Sequence, residues 1–241
     1  MKCFERLVKS HILSQTQHLL DPMQFAYQAS RGVEDAIATL LHLVYSHLEK
    51  PKTHAKILFA DFSSAFNTIK PSILANILTN EFLLEDGLVS WIVDFMSFRT
   101  QQVKVGSSYS SKMSTCTGSP QGCVLSPLLF ILYTNSCTST FPNRHFIKYA
   151  DDTALVSLLY DNEEDHGPVL DYFINWCDKS NLLLNTRKTK EMCIDFRKTT
   201  ASNPTVINGE LIQTVTEYKY LGIVLDHKLK WDIWTERPQE F

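Results

Sequence analysis

Two adjacent acids inside an apolar stretch constrain this chain more than any other feature. Phe146 to Leu158 reads FIKYADDTALVSL, and Asp151-Asp152 divides it into two runs of strand length and strand composition. Asp is depleted in strands and favoured in turns, so the segment predicts a β-hairpin with acids at its tip. A third acid is placed in a similar way. Ala55 to Ala60 (AKILFA) is a short apolar run of the kind found in buried central strands, and Asp61 ends it. The stretch between Asp61 and Asp151 is long enough to hold helices before the chain returns beside the first strand. Neighbouring strand residues point to opposite faces, so Asp151 and Asp152 address one site only where the backbone turns, which a hairpin supplies.

Three carboxylates gathered in a partly buried place repel one another, and protonation or divalent cations relieve the repulsion. Oxygen-only ligands select hard ions such as Mg2+ or Mn2+. Two such ions roughly 3.5 to 4 Å apart activate an attacking hydroxyl and stabilise the leaving oxygen of an in-line phosphoryl displacement. Residue types alone leave a second reading open, a solvated acidic hairpin tip beside an unrelated strand-end Asp.

The rest of the chain alternates helical and strand patterns. Val33, Ile37, Leu40, Leu41, Val44 and Leu48 recur at helical offsets, with Glu34 and Asp35 where the helix dipole favours anions. Pro51 stops that helix. Pro71 opens another over SILANIL, Gly87 to Phe98 gives a third, and Gln101 to Val105 (QQVKV) alternates as a strand. Val124 to Tyr133 is apolar on most faces and predicts a buried helix with Pro127 in its first turn. Val169 to Lys179 is helical. Strands are expected at Glu191 to Phe196, Thr205 to Ile207 and Tyr218 to Leu225, with Asn208-Gly209 as a hairpin turn. The mixed order predicts an α+β fold: an antiparallel sheet, helices packed on one face, and acids at the hairpin tip.

With 241 residues and 44% hydrophobic content the chain can build one large core, and it has no internal repeat. Its 23 Lys+Arg against 26 Asp+Glu, a net charge of −3, exclude a generally basic nucleic-acid coat. No apolar run approaches the ~18 to 20 residues of a membrane span. The opening MKCFERLVKSHIL is interrupted by Glu5, Lys9 and His11, unlike a signal peptide. The expectation is a soluble, intracellular chain, in cytoplasm or nucleus, with no membrane partner. Six scattered cysteines with no CxxC pair read as reduced thiols rather than a disulfide framework or a zinc site.

Five motifs follow one another along the chain: Asp61-Phe62-Ser63-Ser64-Ala65-Phe66; Ser119-Pro120-Gln121-Gly122 with Leu125-Ser126-Pro127-Leu128-Leu129-Phe130; Tyr149-Ala150-Asp151-Asp152; Asn185 with Lys188-Thr189; and Tyr220-Leu221-Gly222. In order and spacing they resemble the palm motifs of reverse transcriptases, most of all those of non-LTR (LINE-type) retrotransposons. The resemblance extends forward to Asp21-Pro22-Met23-Gln24-Phe25-Ala26-Tyr27. It implies a right-hand polymerase palm with a ferredoxin/RRM-like core. Residues 1–54 would be partial fingers, 55–226 palm with intervening fingers elements, and 227–241 a divergent tail, with the thumb and an endonuclease region lying outside the chain. The implied activity is RNA-directed DNA polymerisation, with an RNA template, a DNA primer and dNTP as partners, beside other regions of a longer retrotransposon polyprotein.

The resemblance also implies roles for single residues. Asp61 and Asp151 would hold two Mg2+ ions, or Mn2+, and Asp152 would complete the acidic cluster while the primer 3′-hydroxyl attacks the dNTP. Ser64 and Ala65 match positions whose backbone N–H groups approach the triphosphate, and Phe66 matches a bulky gate against the sugar 2′-hydroxyl. Gln121 would place the incoming nucleotide and Gly122 would admit close backbone approach. Tyr149 would pack under the primer terminus, Lys188 would neutralise or protonate the departing pyrophosphate, and Arg31 would pair with triphosphate oxygens. Gln28 stands where the family commonly has a basic residue. Without the resemblance, Phe66 reads as a core residue beside Phe62, Tyr149 as hairpin filler, and Arg187, Lys188 and Lys190 as a solvated face. Lys52, His54 and Lys56 read as a charged loop. The rival functions are a truncated, non-catalytic nucleic-acid or protein binding module and, less favoured by motif order, a two-metal nuclease.

Overall fold

The computed structural model describes residues 2–161, 166–197 and 204–230. In chain order it contains α1 (Lys2–Thr16), α2 (Val33–Leu48), β1 (Thr53–Ala60), α3 (Ala65–Thr68), α4 (Pro71–Asn80) and α5 (Asp86–Met96). Short strands β2 (Arg99–Gln101), β3 (Lys104–Val105), β4 (Ser108–Tyr109) and β5 (Met113–Thr115) precede α6 (Ser126–Tyr133). There follow β6 (Arg144–Tyr149), β7 (Asp152–Tyr160), α7 (Gly167–Lys179) and β8 (Lys190–Ile194). The last are β9 (Val206–Ile207), β10 (Glu210–Leu211), β11 (Gln213–Thr214), β12 (Glu217–Tyr220) and β13 (Ile223–Asp226). Contacts divide the chain into two compact units: Met1–Pro22, Ser64–Ser136 and Cys177–Leu183 make a helical unit, and Met23–Ser63, Cys137–Trp176 and Leu184–Phe241 a sheet unit.

The sheet unit is built on β1, which is buried along its whole length and lies between antiparallel β7 and β8 in the order β11-β8-β1-β7-β6. Ala55, Ile57 and Phe59 form one core with Ala154, Val156 and Leu158 of β7 and with Ile37, Leu40 and Val44 of α2. On the other side Phe146 of β6 packs on Phe173 of α7, with ring centroids 5.2 Å apart. Helices therefore cover both faces, not one as expected, because β1 is buried at odd and even positions alike and a one-sided cover would leave half of it wet. The sheet is also not wholly antiparallel, since β11 pairs parallel with β8 at its edge.

His54 and Lys56 do not lie in a charged loop. Both are buried in β1, and Lys56 Nζ stands 4.0 Å from Glu191, which also accepts a hydrogen bond from the Thr205 hydroxyl. Buried charges of this kind persist only when partnered. Tyr218 to Leu225 is not one strand but the hairpin β12–β13, turning at Leu221 and Gly222, both with positive φ. Gln101 to Val105 likewise divides into β2 and β3. The register slips by one between Gln101↔Met113 and Lys104↔Tyr109, so the returning strand carries an extra residue. The strand expected at Glu191 to Phe196 runs one residue earlier and stops at Ile194, where Asp195 turns to pair with Arg197 at 2.6 Å. Asn208-Gly209 does form the β9–β10 turn. Residues 231–241, most of the expected tail, lie outside the described residues.

His166, before α7, is buried and shares a hydrogen bond through Nδ1 with the Ser157 hydroxyl at 2.7 Å. Burial, then the charges of Lys56 and Arg144, pull its pKa from 6.5 to about 3. The unfolded chain takes up a proton on this imidazole near pH 6.5 that the folded one refuses, so the contribution is complete above that pH and is lost as pH falls toward 3. Urea titrations from pH 7.5 downward should show stability falling by up to about 1.4 kcal/mol per pH unit, with a shallower slope for His166→Gln.

The helical unit centres on α6, buried at every position except Pro127, which occupies the first turn as expected. The helix begins two residues later than the expected Val124. Glu5 of α1 reaches its front, where the carboxylate accepts hydrogen bonds from Val124 N at 2.6 Å and from Leu125 N at 3.4 Å. An acid at a helix N-terminus meets both the free N–H groups and the dipole.

Candidate active site

The three acids meet at one end of the central strands. β1 and β7 pair in the register Phe59↔Ala154 and Ala60↔Thr153. One step further along both strands stand Asp61 and Asp152. The hairpin turn falls at Ala150-Asp151, one residue earlier than expected, because Tyr149 pairs with Asp152 and draws that second acid into β7. The backbone thus turns at the pair, and Asp151 sits in the turn, half-buried.

That turn is strained and supported. Ala150 has φ 57°, in the left-handed region that an L-residue adopts at a cost and that hairpins of this length usually give to Gly. Gln24, only 2% exposed, supports it: its Oε1 accepts hydrogen bonds from Ala150 N at 3.2 Å and from Ala26 N at 3.0 Å. The backbone around Gln24 is laid along β6, with Phe25 N donating to Lys148 O at 2.8 Å and Lys148 N to Met23 O at 2.9 Å. Arg31 is tied to the same segment, its guanidinium 5.3 Å over the Phe25 ring and donating to Gln24 O at 3.4 Å. Gln28, in place of the usual cation, also donates to that carbonyl, at 2.7 Å.

Asp61 is held from the other side. Its N–H donates to Thr189 Oγ1 at 3.2 Å and its carbonyl accepts from Asn185 N at 2.8 Å. The turn carrying exposed Lys188 is stitched to Asp61 in this way, since Lys188 N in turn donates to Asn185 O at 3.1 Å.

The charges sense one another. Burial, then Asp151 and Asp61, push the Asp152 carboxyl above its ordinary value. Its side chain keeps contact with solvent, yet protein atoms around the strand end remove part of its hydration. The Tyr218 phenol is raised by burial and then by Asp152 and Asp61, and that of Tyr27 by burial and then by Asp151 and Tyr149, which places both rings beside the acids. An acid whose folded pKa is raised costs stability once ionised, and the cost disappears as pH falls below the ordinary 3.8. Asp152→Asn should therefore melt higher than wild type at pH 7, by a few tenths to about 1 kcal/mol, and the gain should vanish near pH 4.

All but one of the remaining predicted residues lie in the helical unit. Ser64 is exposed at φ 52°, and Ala65 is the buried first residue of the four-residue α3. Phe66 is half-buried and stacks on Phe130, with centroids 4.6 Å apart, rather than lying in the core beside Phe62. Gln121 and Gly122 are exposed, and Gly122 has φ +73° with nothing within 4 Å of where a Cβ would stand. Tyr149 belongs to the sheet unit, half-buried and opposite Asp152. Gln24 and Thr189 stand inside motifs quoted above but drew no role there; Gln24 supports the Ala150 turn and Thr189 holds the Asp61 amide.

Three carboxylates are the donor set a hard divalent cation prefers, and their mutual charge is the repulsion such a cation relieves. Among the described residues, no three His, Cys, Asp or Glu side chains are already gathered as a metal-binding group. The acids are neighbours by register and charge, not a closed cage. Among the described residues no helix is long and apolar enough to cross a membrane, and none of the six cysteines is in a disulfide.

Residues 1–225 match the family model described as reverse transcriptase (RNA-dependent DNA polymerase). The RNA-directed DNA polymerase from mobile element jockey of Drosophila funebris is 29% identical over 246 residues, covering 95% of this chain and 26% of that protein. The probable RNA-directed DNA polymerase from transposon X-element of Drosophila melanogaster is 25% identical over 240 residues, with the same coverage of 95% and 26%. Both are LINE-type elements, and the chain spans about a quarter of their length. Among solved structures, apo telomerase from Candida tropicalis superposes with a TM-score of 0.63 at 15% identity, over 95% of this chain and 40% of that one. Telomerase from Candida albicans, in complex with a telomeric RNA fragment, gives 0.57 at 13% identity over 88% and 36%. At such identity the telomerases establish a shared fold alone. With its motifs inside a family match that spans nearly the whole sequence, the chain belongs to the reverse transcriptase (RNA-dependent DNA polymerase) family.

Proposed function

We propose that this chain carries the catalytic region of a LINE-type RNA-directed DNA polymerase, adding dNTP to the 3′-hydroxyl of a DNA primer on an RNA template. The observation that carries the reading is the register that leaves Asp61 and Asp152 each one step beyond the Ala60↔Thr153 pair, while a strained turn, buttressed by a buried Gln24, carries Asp151 next to Asp152. A fold that keeps three like charges at the ends of adjacent strands does so against its own stability, which favours function over packing as the reason. Asp61, Asp151 and Asp152 would hold two Mg2+ ions, which when bound supply charge neutralisation at the triphosphate and a more acidic primer hydroxyl.

The chain's own groups do the rest. Lys188, exposed on the turn bonded to Asp61, delivers positive charge or a proton to the departing pyrophosphate, and Arg31 pairs with triphosphate oxygens. Tyr149 supports the primer terminus. In the helical unit the backbone at Ser64 and Ala65 approaches the phosphates, the Phe66 ring excludes a 2′-hydroxyl by volume, and Gln121 with Gly122 positions the nucleotide. On this reading 55–226 is palm with intervening fingers elements, 1–54 is partial fingers, and other regions of a longer polyprotein complete the grip on the duplex.

A second reading, a binding module without catalysis, is favoured by Gln28, a neutral side chain spent on the Gln24 carbonyl where the family commonly has a cation. Primer extension on an RNA template with Mg2+ decides between them. Incorporation by wild type and its loss in Asp151→Asn are expected. Equal incorporation by both would sink the catalytic reading.

A further inference from the structure

The loop that carries Gln121 is fastened by a cation no motif points to. Arg99, at the start of β2, donates through Nη2 to Thr117 O at 2.9 Å and Gly118 O at 2.6 Å, and through Nε to Met96 O at 3.0 Å. One planar guanidinium thus satisfies three backbone carbonyls in directions a lysine cannot reproduce. The carbonyls it gathers come from both sides of the β2–β5 ribbon, so the fork closes the ribbon's root just before Ser119-Pro120-Gln121-Gly122.

The same loop is pressed against α3. Gly118 N donates to Ile69 O at 2.7 Å and Ser119 N to Phe66 O at 2.8 Å. Gly118 has φ +78°, and a Cβ there would stand 2.8 Å from Asn67 Cα and 2.9 Å from Asn67 O, so only glycine allows the approach. On its far side the loop is held by Ser126, whose hydroxyl donates to Pro120 O at 2.6 Å. Between these anchors opens a polar cavity of about 450 Å³, whose walls include Asn67, Arg99, Ser119 and Gln121. Phe66 and Gln121 therefore stand in a fixed relation within one compact unit, and the fixing atoms are the Arg99 fork and the Gly118 backbone.

We propose that Arg99 is a positioning residue for nucleotide selection: by clamping the Thr117 and Gly118 carbonyls it keeps the Gln121 loop against the turn that presents Phe66. The inference rests on the polymerase reading above and adds to it a residue that sets specificity without touching the nucleotide. The clamp is tested on the full chain in two ways. Hydrogen exchange should show the Gly118 and Ser119 amides of Arg99→Ala exchanging roughly tenfold faster, with the amides of α6 unchanged. Calorimetric titration of the chain on a dideoxy-terminated primer and RNA template should show dUTP affinity falling roughly tenfold in Arg99→Ala, with a smaller loss for UTP, so that the preference between them, which differ only at the 2′ position, narrows.

Arg99→Lys should restore little of this, and Gly118→Ala, which forces the loop off Asn67 while keeping Arg99, should narrow the preference in the same way. Wild-type exchange rates at Gly118 and Ser119 in Arg99→Ala overturn the clamp. An unchanged dUTP-to-UTP ratio, or a wild type that binds both alike, overturns its role in selection. Failure of the polymerase reading is registered separately, by extension that survives Asp151→Asn.

Discussion

Replacing Asp61 or Asp151 with Asn is expected to lower template-directed incorporation by on the order of 10³-fold or more, while the protein folds and melts like wild type or slightly better. Asn keeps the shape of the side chain and removes its charge. If the carboxylates hold cations at the triphosphate, each loss forfeits several kcal/mol of charge stabilisation in the transition state. If they were structural, the same change would weaken the fold. The sheet unit contains a control of that second kind. Although burial works against its charge, hydrogen bonds and the charge of Arg197 hold the Asp195 carboxyl below its usual range, so its ionised form stabilises the folded state. Asp195→Asn should lose stability and leave incorporation by the remaining folded protein intact. Single-nucleotide incorporation with Mg2+, read beside thermal melts of the three variants, separates the cases. Incorporation within tenfold of wild type in Asp61→Asn would remove that residue from the catalytic group.

Gln24→Met is expected to be the most damaging change that leaves every acid in place, costing about 3 kcal/mol of stability and most of the incorporation. Methionine fits the same buried volume but has no strong acceptor. The amides of Ala26 and Ala150 would then lose the oxygen they share, and an orphaned buried N–H costs about 1 to 3 kcal/mol. Ala150 already adopts a backbone conformation that most residues avoid, so the hairpin has a reason to relax once that bond is gone. Asp151, its neighbour, would move with it. Urea denaturation measures the first effect, and exchange of the Ala150 amide locates it. Protection of that amide in Gln24→Met would show that the turn holds itself.

What could be read before folding depended on range. The helix from Val33 to Leu48 was legible to the residue, because its apolar spacing, first-turn acids and following proline all act within a few residues. Pro127 in the first turn of α6 and the Asn208-Gly209 turn were legible for the same reason. The helix α1 was not, since of its buried residues Glu5, Ile12 and Thr16 only one is apolar and no period emerges. Its role is to bring a carboxylate to Val124, a partner far along the chain. The split of Tyr218 to Leu225 into a hairpin was hidden because Leu221, not a usual turn residue, takes a positive φ beside Gly222. Arg99 drew no reading from the sequence, because nothing local reveals that its guanidinium gathers three backbone carbonyls.

The sequence by itself determined the family membership: three acids that end or divide strand-like runs, five motifs in order, and a composition without the excess of Lys and Arg of a basic coat. Those properties are carried by residue type and spacing. Only the tertiary structure decided that Asp61 and Asp152 each stand one step beyond the Ala60↔Thr153 pair, that the turn falls on Ala150-Asp151, and that Gln24 and Arg99 hold the two loops bearing the candidate residues. The reason is physical. Register, strain relief and the satisfaction of buried backbone groups are settled between residues distant in sequence, where no local propensity reaches.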